Sequence, residues 1–359
     1  MKQAVKRMLP AALITKFRGW MSRLDLLLVR FFSLHPLLAG IYYILLSRRF
    51  DKEHLAVLKG RLRYAESQQE YVRSSALLRR NTHRLEKGLI MRPRRSVFAE
   101  EFITETVRAY QQAMLSPDFC SDELKWAKDV LDAYFSVVAD TVTIKKARAN
   151  YEQIKIDESS IINDGNAGYY RPYTQFNAPL NGISFQQLEM LYTRRRSVRW
   201  YKDLSVHEDV IRKAVDIASL APSACNRQPY RFLVATDKAN AVTLAKCAGG
   251  TVGFAENLPS LVVVVGDLSA YPFERDRHLI YIDGSLASMQ FMLALETLGL
   301  SSCPINWPDV DLSERRIRKV VQLAPYERVV MLIAVGYADE TGGIAYSQKK
   351  KSSLLMENV

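Results

Sequence analysis

Apolar residues at helical spacing dominate the chain between residues 51 and 158. Residues three or four positions apart share one face of a helix. Apolar side chains recur at that spacing at Phe102, Ile103, Val107, Tyr110 and Met114, and again at Leu131, Tyr134, Phe135 and Val138. The pattern predicts a mainly helical region over residues 51–158.

Beyond residue 183 the pattern changes to alternating helices and strands. Ser184 with Gln187, and Ser205 with Glu208, have the spacing of a capping box, which predicts that a helix begins at each pair. The other predicted elements are strands over Arg231–Ala235, Leu261–Val265 and Val329–Val335 and a helix over about Ser285–Leu298. This alternation is typical of an α/β or α+β domain.

Residues 159–182 show no period and are rich in Asn, Gly, Pro and Tyr. Such composition is typical of a loop. We therefore expect four parts: a basic, apolar segment over 1–50, the helical region over 51–158, a linker over 159–182 and a carboxyl-terminal domain over 183–359.

The predicted helix near residue 290 is apolar on two faces. One face carries Leu286, Met289 and Leu293, and the other carries Ala287, Phe291, Ala294 and Leu298. A helix that is apolar on two faces is buried on two sides. It lies either in the centre of the fold or at a subunit interface.

The first fifty residues mix basic and bulky apolar side chains. Residues 31–47 contain no formal charge, but a membrane-spanning helix needs about twenty apolar residues, and Pro36 interrupts this run. A basic segment rich in aromatic residues can instead lie at a membrane surface. Packing on the main domain or on a second subunit is the alternative, and the sequence leaves both open.

Charge separates the amino-terminal part from the rest. The formal charge is +12 for 359 residues: residues 1–50 contribute 9 − 1 = +8, residues 51–100 contribute 12 − 6 = +6, and the remainder sums to −2. The basic residues near the start are interleaved with Leu, Phe and Trp, which suits lipid or protein better than phosphodiester, so we expect no nucleic-acid partner.

The cysteines argue against a disulfide framework or a zinc site. The chain has four, Cys120, Cys225, Cys247 and Cys303, and none forms a C-x-x-C pair. This usage favours a reducing, cytoplasmic compartment, with the segment 1–50 possible at the inner face of a membrane. We expect no metal site.

Residues 194–201, RRRSVRWY, concentrate guanidinium groups and one hydroxyl. Arginine matches phosphate oxygens in a bidentate manner, so Arg195, Arg196, Ser197 and Arg199 form a candidate phosphate site. A solvated arginine run at a helix end is the alternative for this motif alone.

Two further motifs combine polar turns with small residues. Residues 221–232, APSACNRQPYRF, offer Ser223, Asn226 and Gln228, and the two amides can pair with the edge of a heterocycle. In residues 294–307, ALETLGLSSCPINW, a buried helix ends at Gly299, and we expect a turn of small residues to follow. Each motif alone is also compatible with an ordinary turn.

In this order and spacing the motifs resemble the nitroreductase family of flavin enzymes, over about residue 183 to the end. The family patterns R-R-S-x-R-x-[FY] and A-P-S-x-x-N-x-Q-P-[WY]-x-F read here as Arg195 to Tyr201 and Ala221 to Phe232. The third motif, a strand ending in Gly336–Tyr337 and a basic C-terminal stretch follow. The whole chain also resembles extended members found near polysaccharide biosynthesis genes.

The resemblance implies an α+β fold with a nitroreductase-like mixed sheet flanked by helices, and a non-covalently bound FMN at a homodimer interface. The residues implied in binding the phosphate and ribityl end are Arg195, Arg196, Ser197 and Arg199, with Lys349 or Lys350 closing over the phosphate. Those implied near the isoalloxazine ring are Ser223, Asn226, Gln228, Ser302 and Cys303.

The family resemblance also implies an oxidoreductase that transfers hydride from NADH or NADPH through FMN to a small acceptor. The sequence does not identify this acceptor. That scheme needs no acid–base residue, and we assign none. The alternative is a non-catalytic flavin-binding or scaffold protein of a membrane-associated, polysaccharide-related assembly. Cys225 and Cys303 are more simply explained as structural thiols than as a redox pair.

Overall fold

A computed structural model describes residues 11–67, 73–158, 170–174 and 182–358 of the chain. The chain divides into two compact units, Met1–Ala56 and Val57–Val359. The predicted linker lies largely outside the described residues, so the four-part division of the sequence stays a prediction.

The described part of the first unit, from Ala11 onward, is built from helices. Helix α1 covers Ala11–Phe32, α2 covers Pro36–Ile41, a π-helical turn covers Tyr42–Ser47, and α3 covers Asp51–Ser67 and continues past the unit's end. Pro36 begins α2 and so interrupts the apolar run, as predicted. None of the described helices is long and apolar enough to cross a membrane.

The predicted helical region is confirmed by four further helices. They are α4 (Ala76–Leu89), α5 (Ile103–Met114), α6 (Ser121–Phe135) and α7 (Val142–Glu158). Their apolar faces form one core that includes the fully buried side chains of Ile103, Tyr110, Leu131 and Tyr134. The apolar periodicity of the sequence suffices to predict these helices because each helix buries one face.

The carboxyl-terminal part is a four-stranded sheet with helices on both faces. The strands are β1 (Tyr230–Ala235), β2 (Ser260–Asp267), β3 (Ser301–Asn306) and β4 (Glu327–Gly336), in the order β1-β2-β4-β3. The helices are α8 (Phe185–Arg194), α9 (Glu208–Ala218), α10 (Lys238–Ala245), α11 (Leu279–Thr297) and α12 (Asp311–Val320). The α+β class is confirmed.

Adjacent strands of this sheet pair antiparallel. The described sheet is therefore antiparallel and not the expected mixed sheet, because Ser197 adds only an isolated parallel bridge to Ser302 at the β3 edge. Val263 and Leu332 face the core that includes α10 and α12, whereas Val264 and Ile333 face the core that includes α9 and α11. The sheet is therefore buried on both faces, which explains why the central residues of β2 and β4 are all apolar.

Three predicted boundaries in this domain are wrong. The turn expected after Gly299 is strand β3, which tolerates Pro304 because it is an edge strand. Helix α9 begins at Glu208 without a capping bond from Ser205, because buried Val206 keeps the chain extended ahead of it.

By contrast, the predicted capping box at Ser184 and Gln187 is confirmed.

The third error concerns the start of α11, which lies at Leu279 and not near Ser285. Asp283 and Gly284 have the composition of a turn but are buried inside the helix. A Cβ atom at Gly284 would be 3.3 Å from Val330 Cγ2. Close packing of the helix on β4 therefore explains a glycine within it.

Candidate functional site

The segment Arg195–Tyr201 lies beside the edge strand β3. A parallel bridge joins Ser197 to Ser302, and the Val198 N–H donates to the Ser302 carbonyl at 3.1 Å. The first and third motifs, far apart in sequence, therefore meet at the start of β3.

Tyr201 fixes the other end of this segment. Its hydroxyl donates to the Val198 carbonyl at 2.7 Å, and its backbone N–H donates to Asn257 Oδ1 at 2.7 Å. The ring packs on Gly336, where a Cβ atom would be 2.8 Å from Tyr201 Cδ1 and 2.6 Å from Pro259 Cγ. The motif's tyrosine is a structural anchor, and the glycine makes room for it.

The substitution Gly336→Ala is expected to lower the free energy of unfolding by about 1–3 kcal/mol, because the new methyl group must displace Tyr201 or Pro259. Urea unfolding measures the loss. Gly343→Ala is the matched control, since a Cβ atom there meets nothing within 4 Å. An equal loss in both variants would show that packing against Tyr201 is not the cause.

The segment beside β3 carries an excess of positive charge. Arg194, Arg195, Arg196 and Arg199 supply four guanidinium groups, and Glu296 at the end of α11 supplies one buried carboxylate. Arg194 Nε lies 3.5 Å from Glu296 Oε2, which leaves the remaining arginines to attract an anion.

Two buried donor atoms in this cluster lack hydrogen-bond partners among the described residues, and so does one acceptor, Glu296 Oε1. Within the residues that the structure describes, Arg195 Nε and Ser302 Oγ make no hydrogen bond. Buried polar atoms without partners are rare in folded proteins, so each is a candidate contact for a ligand. A guanidinium group matches phosphate oxygens and a hydroxyl matches ribityl hydroxyls. The residues present therefore fit FMN.

Ser302 and Cys303 point to opposite sides of β3, as neighbouring residues of a strand do. The Cys303 thiol is fully buried in the core with Val198 and Tyr201. Burial raises the pKa of this thiol, and nearby Arg199 opposes the shift. This position favours a protonated, structural thiol, and the expectation that Cys303 lies along a flavin ring stays a prediction.

Glu296 should make stability depend on pH. Burial raises the pKa of its carboxyl, while Arg194 and Arg195 oppose the shift. Because the folded pKa lies above the unfolded one, wild-type stability falls as pH rises through the folded pKa.

Glu296→Gln removes this ionisation. We expect the variant to be more stable than wild type at pH 8 and the difference to vanish below about pH 4, where the carboxyl is protonated in both states. Urea unfolding of both proteins between about pH 4 and pH 8 measures this difference in stability. A variant that is less stable at pH 8 would show that the pairing with Arg194 outweighs the burial.

The second motif forms a strained turn just before β1. Residues Ala224–Asn226 make a 3-10 turn, and Cys225, Asn226 and Gln228 have φ angles of 52°, 51° and 50°. Each non-glycine residue in this region costs about 1–3 kcal/mol, and such residues cluster at functional sites. Surrounding contacts must therefore hold the turn in place.

Asp283 of α11 holds the start of this turn. Its buried Oδ2 accepts hydrogen bonds from the Ser223 hydroxyl at 2.8 Å and the Ala224 N–H at 3.0 Å. Ser223 Oγ also accepts from the Gln228 N–H at 2.8 Å, and Gln228 Nε2 donates to the Ser219 carbonyl at 2.6 Å. The polar side chains of Ser223 and Gln228, which are expected near a cofactor, thus make hydrogen bonds that hold the turn in shape.

Arg79 of α4 joins the helical region to the same turn. Its Nε donates to the Asn226 carbonyl at 2.8 Å, its Nη2 to Gln228 Oε1 at 2.9 Å and its Nη1 to Glu123 Oε2 at 3.1 Å. Glu123 is buried and accepts from the Ser75 N–H at 3.0 Å. Among the described residues the Asn226 side-chain amide makes no hydrogen bond, so it is available to a ligand. Sequence reasoning missed Arg79 and Glu123, since no motif includes them.

The two halves of the predicted site lie far apart within one chain. Ser302 lies in the edge strand β3, where it pairs with Val335. Tyr230, which follows the Asn226 turn, lies in the other edge strand and pairs with Gly266 at the opposite end of the strands. Three strand spacings and about one strand length lie between Ser302 and Tyr230, so the two residues are roughly 20–25 Å apart. One chain therefore does not assemble the whole predicted set.

Lys349 and Lys350 lie in exposed, irregular chain after β4. No hydrogen bond or ion pair fixes either ammonium group within the described part of the chain. The expectation that one of them closes over a phosphate stays a prediction.

Known proteins match the part of the chain that contains these motifs. The model of the Nitroreductase family matches residues 192–252 and 243–337. A putative NADH dehydrogenase/NAD(P)H nitroreductase of Archaeoglobus fulgidus is 34% identical over 158 residues, which is 42% of this chain and 84% of that protein. An NADH dehydrogenase of Thermus thermophilus is 28% identical over 180 residues, 42% of this chain and 85% of its own.

A solved structure, the FMN-dependent nitroreductase of Clostridium difficile R20291, has 27% sequence identity and a TM-score of 0.38, and the match covers 44% of this chain and 91% of that one. The relatives thus match less than half of this chain but most of their own length. Because the Archaeoglobus fulgidus relative is 34% identical over 84% of its length, this chain belongs to the nitroreductase family of oxidoreductases.

Proposed function

We propose that the protein is an FMN-dependent oxidoreductase that takes hydride from NADH or NADPH and reduces a small acceptor, and that it works as a homodimer. The observation that carries the proposal is the pair of buried, unpartnered atoms, Arg195 Nε and Ser302 Oγ, inside an arginine cluster. The names of the relatives support a nicotinamide donor.

A second copy of the chain would complete the site. In a two-fold dimer the β3 end of one subunit can meet the Asn226 turn of the other, because each subunit presents both surfaces once. Exposed apolar side chains favour such contact: Ile282 and Leu286 of α11 are 52% and 42% exposed, and Phe185 of α8 is 72% exposed. This agrees with the prediction that α11 is covered on two sides.

In this arrangement each residue has a simple role. Arg195 and Arg199 bind the phosphate, Ser302 meets a polar group of the ribityl chain, and Asn226 of the second subunit pairs with the edge of the ring. Asp283 and Arg79 hold the Asn226 turn in position. FMN, when bound, supplies the hydride-accepting chemistry, and the protein binds and orients it.

Visible absorption of the purified protein tests the proposal. We expect a flavin spectrum, either as isolated or after loading with FMN, that bleaches under anaerobic NADH or NADPH. A colourless protein that does not take up FMN would overturn the proposal. Bound FMN that neither nicotinamide bleaches would favour the non-catalytic, flavin-binding alternative.

Leu286→Asp is expected to produce a monomer and to weaken FMN binding by at least tenfold, because it places a charge in the proposed interface. Light scattering after size-exclusion chromatography and flavin titration measure the two effects. Leu312→Asp is the control, since Leu312 is 52% exposed on α12, across the sheet from α11. A dimer that persists in the Leu286 variant would contradict this interface.

A further inference from the structure

Helix α1, Ala11–Phe32, exposes large apolar side chains, and the bulkiest of them lie along one arc. At 100° per residue, Phe17, Trp20, Leu24, Leu27 and Phe31 fall within an apolar arc of about 80°. Each of these side chains is exposed, with Phe17 61% and Leu27 59% accessible. The helix therefore presents large apolar side chains that contacts within its own unit leave uncovered.

A basic stripe borders this apolar arc. Lys16, Arg23 and Arg30 follow each other at intervals of seven residues, so they lie within a strip about 40° wide along one edge of the arc. All three are exposed. On a membrane surface such long side chains can extend to the headgroups while the neighbouring apolar face is buried.

The segment after α1 continues the apolar character. Leu37 and Leu45 are 73% and 70% exposed, and the run from Phe31 to Ser47 carries no formal charge. Aromatic rings link it to α1, with Phe32 and Tyr42 centroids 5.5 Å apart. Aromatic side chains are enriched where a protein meets the boundary between lipid and water.

We propose that residues 11–50 form a docking surface for an anionic lipid bilayer, with α1 lying in the plane of the membrane. The apolar arc would enter the boundary of the acyl chains, and Lys16, Arg23 and Arg30 would contact anionic headgroups. A protein partner would not require a basic stripe parallel to an apolar face. This surface is independent of the proposed flavin site.

Co-sedimentation of the full-length protein with vesicles tests the proposal. We expect binding to phosphatidylcholine vesicles that contain about one third phosphatidylglycerol, and weak binding to pure phosphatidylcholine, with salt weakening the former. Equal binding to both vesicles, or to neither, would overturn the proposal.

Charge removal supplies the sharper test. Lys16→Gln, Arg23→Gln and Arg30→Gln together should lower partitioning onto anionic vesicles about 100-fold. Arg92→Gln, Arg94→Gln and Arg95→Gln together are the matched control, because these exposed residues carry the same charge in the helical region. Equal losses in the two triple variants would show that overall charge, not the stripe, causes binding.

Hydrogen exchange at residues 16–31 distinguishes lipid binding from the other ways in which this surface could be covered. We expect exchange to slow when anionic vesicles are added. Full protection without lipid would mean that the segment packs on protein, and would overturn the proposal. Protection that increases with protein concentration alone would assign the surface to a second copy, and would overturn it as well.

Discussion

Replacing Arg195 and Arg199 together by alanine is expected to weaken FMN binding about 1000-fold. Each guanidinium group would lose a charge-assisted hydrogen bond to the phosphate, worth about 1.5–3 kcal/mol, and two such losses correspond to between 10² and 10⁴ in affinity. Fluorescence titration with FMN measures the dissociation constant. Thermal unfolding of the flavin-free proteins checks that the fold is retained.

Arg315→Ala with Arg316→Ala is the control for this double variant. Both residues are exposed on α12, so their removal changes the net charge equally without touching β3. We expect it to leave the affinity within about threefold of wild type. If the Arg195 and Arg199 variant binds FMN as tightly as this control, the phosphate lies elsewhere.

Arg79→Ala is expected to lower the free energy of unfolding by about 3–5 kcal/mol, because it leaves the Glu123 carboxylate buried without its cationic partner. The Glu123 side chain is only 2% exposed. The same change removes two hydrogen bonds from the Asn226 turn, so we also expect weaker FMN binding. Urea unfolding and flavin titration report the two effects separately.

Arg79→Lys separates the two roles of the residue. An ammonium group can still neutralise Glu123, but it cannot match the fork through which the guanidinium reaches three acceptors. We expect stability to recover in large part and flavin affinity to stay at least fivefold below wild type. Recovery of both properties would show that the charge alone matters and that Arg79 does not position the turn.

Several elements could be predicted from the sequence because local pattern and burial agree. Strands β1, β2 and β4 are apolar runs between turns, and each is found within one to two residues of its predicted ends. The capping box at Ser184 and Gln187 is a local hydrogen-bonding device, so the sequence reveals it. The motifs at Arg195–Tyr201 and Ala221–Phe232 could be found in the same way.

Long-range contacts account for what could not be predicted. Strand β3 has the composition Ser-Ser-Cys-Pro at its start, and only its pairing with β4 makes it a strand. Asp283 shapes the Ser223 turn from sixty residues away, and Arg79 reaches Gln228 across 149 positions. No periodicity or motif connects such residues before the chain has folded.

The ligand role of most candidate residues stays a prediction, but the structure shows which of their side chains are free to bind a ligand. Ser302 and Asn226 have side-chain groups without hydrogen-bond partners in the described chain, whereas the polar groups of Ser223 and Gln228 are already paired. Residue identity alone cannot show this difference, because it depends on which partner each group meets.

The contact from Arg79 to the Asn226 turn bears on how this chain can be divided. A shortened chain that starts at residue 183 would have roughly the length of the matched relatives but would lack α4 and α6. Its Asn226 turn would keep three left-handed residues and lose the side chain that spans them. The helical region thus supports a turn of the domain that matches the relatives, and we expect a chain that starts at residue 183 to hold this turn less firmly.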